Sequence, residues 1–151
     1  MNNRTAIAAL AAAAGLDQLS PDAFGRCEIV VNEALEIVLE GPPEATSLRL
    51  YAHLAELPDA GDVTPGLLEA NLSGRETGGA FFALDTRSNE IVLVSEISTA
   101  ASSDGEIADR VEAFAKTALF WSENVHLLRA AARAEPEIDA SIAETEVILR
   151  L

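Results

Sequence analysis

Residues 103–128 read SDGEIADRVEAFAKTALFWSENVHLL, and this stretch decides the fold. Ser103 followed three residues later by Glu106 is a capping box, the reciprocal side-chain-to-backbone arrangement that begins a helix. Apolar residues then recur at alternating spacings of four and three: Ile107, Val111, Phe114, Ala118, Trp121, Val125 and Leu128. The spacing predicts one long amphipathic helix that runs to about Arg133 and ends before Pro136.

The segments that precede this helix predict an antiparallel sheet. Alternation of apolar and polar residues indicates three strands, at 24–31, Leu35–Glu40 and 47–57. Because only a short Asn32-Glu33 connection separates the first two strands, we expect them to form a hairpin. A second hairpin is predicted from 80–85 and 90–97, with Phe82 and Leu84 pairing across to Ile91 and Leu93.

Two further helices complete the pattern. The first spans about 3–15, and a short second helix begins with Thr64 as N-cap and Pro65 in the first turn and ends near Ser73. The order of elements is α-β-β-β-α-β-β-α. We therefore predict an α+β protein in which a twisted antiparallel sheet is packed with helices, forming a single domain over residues 1–135.

Residues 136–151 form a C-terminal tail with an ambiguous pattern. Its apolar run, Val147-Ile148-Leu149, is typical of a short strand, of a peptide docked on the body or of a frayed end. The prediction for the tail therefore leaves a flexible and a docked arrangement open.

The composition excludes several classes of partner. Lys and Arg total 10 and Asp and Glu total 25, a formal net charge of −15. Nucleic acids and anionic membranes attract clustered basic residues, so neither is expected as a partner. No apolar run approaches the ~20 residues of a membrane span. Residues 1–16 imitate a secretory signal, but their alanine-rich run favours the first helix of a cytoplasmic protein.

The sequence carries little chemistry for catalysis. Two isolated histidines, His53 and His126, form no metal-binding motif, and Cys27 lies on the apolar face of a predicted strand, as a buried structural thiol does. The glycine-rich segment 74–79 lacks the lysine of a phosphate-binding loop and follows a helix instead of opening one. We expect no catalytic residue, no cofactor and no metal.

Several local strings, taken in order, resemble the class I chaperones of bacterial type III secretion, of the Tir-chaperone (CesT-like) type. They are Gly25-Arg26-Cys27-Glu28-Ile29, Leu48-Arg49-Leu50-Tyr51-Ala52, Leu67-Leu68-Glu69-Ala70-Asn71-Leu72, Gly79-Ala80-Phe81-Phe82-Ala83-Leu84-Asp85 and Ile91-Val92-Leu93. Phe114 and Trp121 of the last helix also fit. The likeness covers about residues 6–130, and the tail after Pro136 is longer than the family pattern requires.

The resemblance implies a homodimeric, non-enzymatic protein of the bacterial cytoplasm. Such chaperones hold the N-terminal segment of a secreted effector in extended form and keep it soluble and competent for secretion. In the family the short middle helix contributes to the dimer interface, which makes Leu67, Leu68 and Leu72 interface candidates. The first helix and the exposed sheet surfaces hold the effector, and the corresponding candidates here are Ile7, Leu10, Ile29, Val31, Leu35 and Ile37.

Alternatives remain open at this point. For each of these apolar candidates the alternative is an ordinary core residue, since apolar side chains lie mostly inside. A generic bacterial protein-interaction module of the same fold would explain the same pattern without a role in secretion. A small hydrolase or isomerase that uses a carboxylate would instead require a concave pocket around a carboxyl group of perturbed pKa.

Overall fold

A computed structural model describes residues 1–17, 19–57, 63–128, 142 and 144–150. Three helices and five strands occur in the predicted order, and the tail adds a sixth, short strand. The elements are α1 (Asn3–Ala14), β1 (Arg26–Val31), β2 (Leu35–Glu40), β3 (Ser47–Glu56), α2 (Thr64–Ser73), β4 (Phe81–Asp85), β5 (Glu90–Ser98), α3 (Asp104–Asn124), a 3₁₀ helix (Val125–Leu128) and β6 (Leu149–Arg150).

The six strands form one open antiparallel sheet in the order β4-β5-β3-β2-β1-β6. The α+β prediction is confirmed, and so is the register of the second hairpin, in which Phe82 lies opposite Leu93 and Leu84 opposite Ile91. The first hairpin turns at Asn32 and Glu33, whose φ angles of 50° and 58° place both residues in the left-handed region. A register shift between His53 and Ala55 interrupts the β3–β5 pairing.

One face of the sheet forms the core, which we call the inner face. Because side chains alternate along a strand, every second residue of β1, β2 and β3 points to this face and is buried. Helix α3 crosses the middle of the sheet on this side, and α1 packs against α3. The opposite face, which we call the outer face, carries the remaining strand side chains.

Helix α3 begins and packs as predicted. The Ser103 side chain accepts a hydrogen bond from the Glu106 N–H, and the Glu106 carboxylate accepts one from the Ser103 N–H at 2.6 Å. All seven residues of the predicted stripe are buried. Trp121 is fully buried, donates its indole N–H to the Glu76 carbonyl at 2.8 Å, and meets the Phe82 ring edge-on at 5.5 Å between centroids.

Three predicted boundaries are wrong. The backbone at Val63 is already helical and Thr64 lies inside α2, so Thr64 is not its N-cap. Strand β1 begins at Arg26, because Gly25 is in the left-handed region at φ 79° and the Asp22 carboxylate binds the N–H groups on both sides of it, those of Phe24 and Arg26.

Helix α3 is also shorter than predicted. It ends at Asn124 and tightens into the 3₁₀ helix, and the end predicted near Arg133 lies outside the described residues. The 3₁₀ helix brings the Leu128 carbonyl close to Gly66 of α2, where an added Cβ would lie only 1.6 Å from the oxygen. Gly66 therefore permits the close approach of α2 to the end of α3.

Candidate protein-binding site

The six residues predicted to bind an effector lie on buried positions of α1, β1 and β2. Their exposed fractions do not exceed 5%: Ile7, Leu10, Ile29, Val31, Leu35 and Ile37. This burial matches the alternative stated above, that these residues belong to the core. Their role in effector binding stays a prediction, and the surfaces described next are formed by other residues.

The short helix α2 separates its leucines between two environments. Leu67 is buried against the core at 8% exposure, whereas Leu68 and Leu72 are exposed to 65% and 89%. The two exposed leucines are four residues apart and therefore share one side of the helix. Leu84 of the neighbouring strand β4 is also half-exposed. Large apolar side chains grouped in this way indicate an interface with another molecule.

Helix α2 also closes one edge of the sheet. The Asn71 carboxamide accepts a hydrogen bond from the Phe82 N–H at 2.6 Å and donates one to the Phe82 carbonyl at 2.9 Å. These bonds replace those that a further strand would make to the middle of β4. The main-chain groups of Phe82 are therefore unavailable to a further strand, and no pattern in the sequence predicted this role for Asn71.

The outer face of the sheet carries a row of apolar side chains that the sequence analysis did not single out. Cross-strand neighbours place Phe81 opposite Val94, Val94 opposite Tyr51, and Tyr51 opposite Val38. We call these four residues the outer row. Phe81 is 47% exposed, Val94 and Tyr51 are partly exposed, and Val38 is buried beneath its neighbours. The alternation of the strands could have revealed this row, because its residues fall between the positions that face the core and therefore point to the opposite face.

Carboxylates surround the outer row. Seven acidic residues lie on this face: Glu28, Glu36, Glu40, Glu56, Asp85, Glu90 and Glu96. They are accompanied there by three arginines, Arg26, Arg49 and Arg150, and by His53. The Tyr51 hydroxyl donates to Glu40 at 3.1 Å, and partial burial, followed by this bond, raises the pKa of Tyr51. The face therefore combines apolar contact area with negative charge.

At the edge of this acidic face, His53 contacts Asp85. Its Nε2 lies 3.1 Å from the Asp85 carboxylate and 3.9 Å from that of Glu90. The hydrogen bond with His53, followed by the N–H of Arg87, lowers the pKa of Asp85. The His53 ring also meets the Tyr51 ring edge-on at 6.4 Å between centroids. All of these groups lie on an open sheet surface.

At the other side of the sheet, β6 pairs with only the last two residues of β1, and the first residues of β1 extend beyond it. Beside these first residues is a hollow of about 280 Å³ lined by Ser20, Asp22, Arg26, Cys27 and Glu28. A second hollow of about 280 Å³ adjoins it and is lined by Arg4, Ile7, Pro21, Asp22, Ala23, Gly25, Gly41 and Pro43. Ile7, one of the predicted effector-binding residues, therefore reaches the wall of a surface hollow. Phe24, exposed to 82%, projects from the same connection between α1 and β1.

Reactive chemistry is weak in the part of the chain that the structure describes. Burial raises the pKa of the Cys27 thiol to about 11, and the carboxylates of Asp22 and Glu28 act in the same direction. Within the described ranges no group of three or more His, Cys, Asp or Glu side chains is placed to hold a metal ion. No helix among these residues is long and apolar enough to cross a membrane. The features that stand out are exposed apolar side chains, which typically mark interfaces between proteins.

Solved structures share this fold over most of the chain. A chain of the ExsC–ExsE complex superposes with a TM-score of 0.67 at 22% identity, over 85% of this chain and 94% of that one. A chain of the Yersinia pestis type III secretion chaperone SycH bound to a fragment of YscM2 gives 0.62 at 17% identity, over 78% and 97%. A chain of the ExoU–SpcU complex from Pseudomonas aeruginosa gives 0.59 at 19% identity, over 82% and 97%.

A search of curated proteins found no match to this chain. The sequence pattern of one family, by contrast, matches residues 5–122, which span α1 to most of α3. That match confirms the resemblance drawn from the local strings of the strands and of α2. The chain belongs to the Tir chaperone protein (CesT) family, the class I chaperones of type III secretion.

Proposed function

We propose that this protein binds the N-terminal segment of a secreted effector in extended form and keeps it soluble and competent for type III secretion. Its family consists of secretion chaperones that are not enzymes, in agreement with the expectation from the sequence. One structural neighbour is the chaperone–effector complex of SchA with HopA1. We place the action of this protein in the bacterial cytoplasm, where an effector is held before export.

The observation that carries the proposal is the outer row within its surround of carboxylates. In a domain without a partner, Phe81 and Val94 on an uncovered sheet face would add no stability, because their exposed apolar surface stays in water. Contact with apolar side chains of a partner removes this surface from water and stabilises the complex by about 25 cal/mol per Å² of apolar area. The effector segment then remains extended, because a sheet face offers a long surface and no enclosing cavity.

The charge of the face specifies the kind of segment. Seven carboxylates against three arginines favour a segment that carries Lys or Arg beside its apolar residues. The net charge of −15 extends this attraction beyond the contact and keeps a protein with exposed apolar surface soluble.

We further propose that the working unit is a homodimer formed through α2. Leu68 and Leu72 give each chain an apolar patch, and a two-fold axis would set this patch against its copy. Leu84 is half-exposed on β4, the strand that α2 contacts, and we expect it to extend the patch. The outer row and the two hollows near β1 then stay open for the effector in each copy.

Co-expression with the products of neighbouring genes tests the proposal. We expect one product to co-purify through its N-terminal region, in a complex of two chaperone chains and one effector by light scattering. Val94→Glu removes apolar contact and adds a charge at the centre of the outer row, so we expect at least a tenfold loss of affinity. Ala113→Glu adds the same charge on an exposed position of α3 and should leave the affinity unchanged.

Two results would contradict the proposal. A dimer that retains no neighbouring product would favour the generic interaction module. An effector that binds the Val94→Glu variant as tightly as the unaltered chain would show that the outer row is not the binding surface.

A further inference from the structure

The C-terminal segment completes the sheet at the edge of β1. Arg150 lies opposite Val30 and Leu149 opposite Val31, in antiparallel register. Asn32 extends this pairing with three hydrogen bonds. Its N–H donates to the Ile148 carbonyl at 2.9 Å, its side-chain oxygen accepts from the Ile148 N–H at 2.6 Å, and its side-chain nitrogen donates to the Glu146 carbonyl at 2.9 Å.

The side chains of this segment are arranged as those of a bound peptide. Val147 and Leu149 are partly buried and pack against the core, whereas Ile148 is 48% exposed. Arg150 forms an ion pair with Glu33 of the β1–β2 turn. The pattern is therefore an apolar residue, an exposed residue, a second apolar residue and a basic residue.

This segment occupies the main-chain groups that another strand would need. In an antiparallel sheet the N–H and C=O of alternate residues point to the same side, so those of Arg26, Glu28, Val30 and Asn32 face away from β2. Arg26 bonds to Asp22, through its carbonyl at 2.8 Å and its N–H at 3.0 Å. Val30 and Asn32 face the tail. Among the described residues of β1, only Glu28 then has main-chain groups on this side that are left without a partner.

One free position is too short for an extended segment. The β4 edge likewise keeps only Leu84 free among the described residues, since Thr77 binds the main chain of Ala80 and Asn71 binds that of Phe82. Within the described residues, the place at which a partner can add a strand to this sheet is therefore the one that residues 146–150 now occupy. The tail itself pairs at two positions of β1 and is held at its ends by Asn32 and Glu33, a small contact that can open without unfolding the body.

We propose that residues 146–150 are an intramolecular ligand of the β1 edge, which an extended partner segment of the same pattern displaces. The identity of that partner as an effector rests on the proposed function, whereas the displacement does not. A tethered strand competes at a high effective concentration, on the order of millimolar for a flexible link. Weakly matching segments are thereby excluded, and a segment that also contacts the outer row gains enough to replace the tail.

A disulfide that cross-links the tail to β1 tests the displacement in the full chain. Val30→Cys with Arg150→Cys, in a Cys27→Ser background, places two thiols on directly opposed residues, at a separation that suits a disulfide. The probe is a fluorescein-labelled peptide of residues 144–150, ETEVILR, followed by fluorescence anisotropy. We expect the reduced protein to bind the probe and the oxidised protein to bind it at least tenfold more weakly. Equal binding by the two forms, or no binding by the reduced form, would overturn the proposal.

A second variant weakens only the tail. Ile148→Pro removes the N–H that donates to the Asn32 side-chain oxygen. Because the side chain of Ile148 is exposed, the substitution leaves the core unchanged. This variant should bind the probe several-fold more tightly than Ile148→Thr, which keeps the N–H and the branched side chain. Equal affinities would again contradict displacement.

Effector binding separates the two proposals. An effector bound equally well by the oxidised and reduced forms would end the displacement proposal and leave the chaperone function in place. An effector bound by neither form, nor by the unaltered chain, would count against the proposed function.

Discussion

The carboxamide of Asn71 binds both main-chain groups of Phe82, accepting from its N–H at 2.6 Å and donating to its carbonyl at 2.9 Å. One side chain of α2 thus takes the place of a neighbouring strand at the middle of β4. It fixes α2 against the sheet and leaves Leu68 and Leu72 on the exposed side of the helix. At the opposite side of the sheet, β1 pairs with the two residues of β6, and this is where we propose that a strand is exchanged.

We expect Asn71→Ala to lower the free energy of unfolding by about 1–3 kcal/mol, because it leaves two main-chain groups of Phe82 without partners. Urea denaturation followed by Trp121 fluorescence measures this loss. Asn124→Ala is the matched control, since Asn124 donates a single bond, to the Phe120 carbonyl. An equal loss in the two variants would show that the Phe82 contact adds no particular stability.

Helix α2 should control the oligomeric state. Leu72→Glu and Leu68→Glu place a charge in the exposed patch of α2, so we expect the dimer to dissociate at least tenfold more readily, by light scattering across a dilution series. Folding should be unaffected, because neither side chain belongs to the core. Phe24→Glu changes a side chain of similar exposure outside α2 and should leave the dimer intact. Dimers of unchanged stability in the leucine variants would exclude this interface.

The close approach at Gly66 predicts a sharp effect of one methyl group. Gly66→Ala places a Cβ 1.6 Å from the Leu128 carbonyl oxygen, so α2 or the 3₁₀ helix must move, and we expect a loss of about 1–3 kcal/mol in stability. Gly105→Ala, in the first turn of α3, meets nothing within 4 Å and should be neutral or stabilising by up to about 1 kcal/mol. Thermal unfolding of the two variants provides the comparison, and similar melting temperatures would contradict it.

The pairing of His53 with Asp85 predicts a pH effect. The hydrogen bond from His53 is the main cause that lowers the pKa of Asp85 below its ordinary 3.8, so His53→Ala should move that pKa upward in an NMR titration. A carboxyl with a lowered pKa stabilises the folded chain above pH 3.8, and this contribution is lost as the pH falls through the lowered value.

Asp22 serves as the internal reference for this titration. Its pKa is lowered chiefly by the N–H of Arg26 and then by that of Phe24, neither of which involves His53. The Asp22 titration should therefore be the same in both proteins. A shift of Asp22 that equals the shift of Asp85 would point to a general change in structure.

Cys27 should be inert near neutral pH. Burial raises the pKa of its thiol to about 11 from 9.0, so reaction with a disulfide reagent should be slow at pH 7 and become faster as the pH approaches 11. The unfolded thiol loses its proton first, so this residue makes the folded state less stable as the pH rises from 9 to 11. The same chain in denaturant provides the fast reference, and equal rates at pH 7 would show that Cys27 is accessible.

Local patterns in the sequence were sufficient for most of the architecture. The spacing from Ile107 to Leu128 determined the buried stripe of α3, and the Ser103–Glu106 pair determined its beginning. Alternation within Leu35–Glu40 determined which strand residues face the core. These features depend on neighbours a few residues apart, where the periods of helix and strand decide which side chains share a face.

Only the tertiary structure decided which surfaces remain open. Leu67, Leu68 and Leu72 carry the same side chain within one short helix, yet the core covers the first and leaves the other two exposed. The bonds of Asn71 to Phe82 and of Asn32 to the tail join residues 11 and 114–116 positions apart. Periodicity predicts that one face of a helix or strand is apolar. Whether another segment covers that face depends on how distant parts of the chain pack. Contacts between residues so far apart in sequence produce no local pattern.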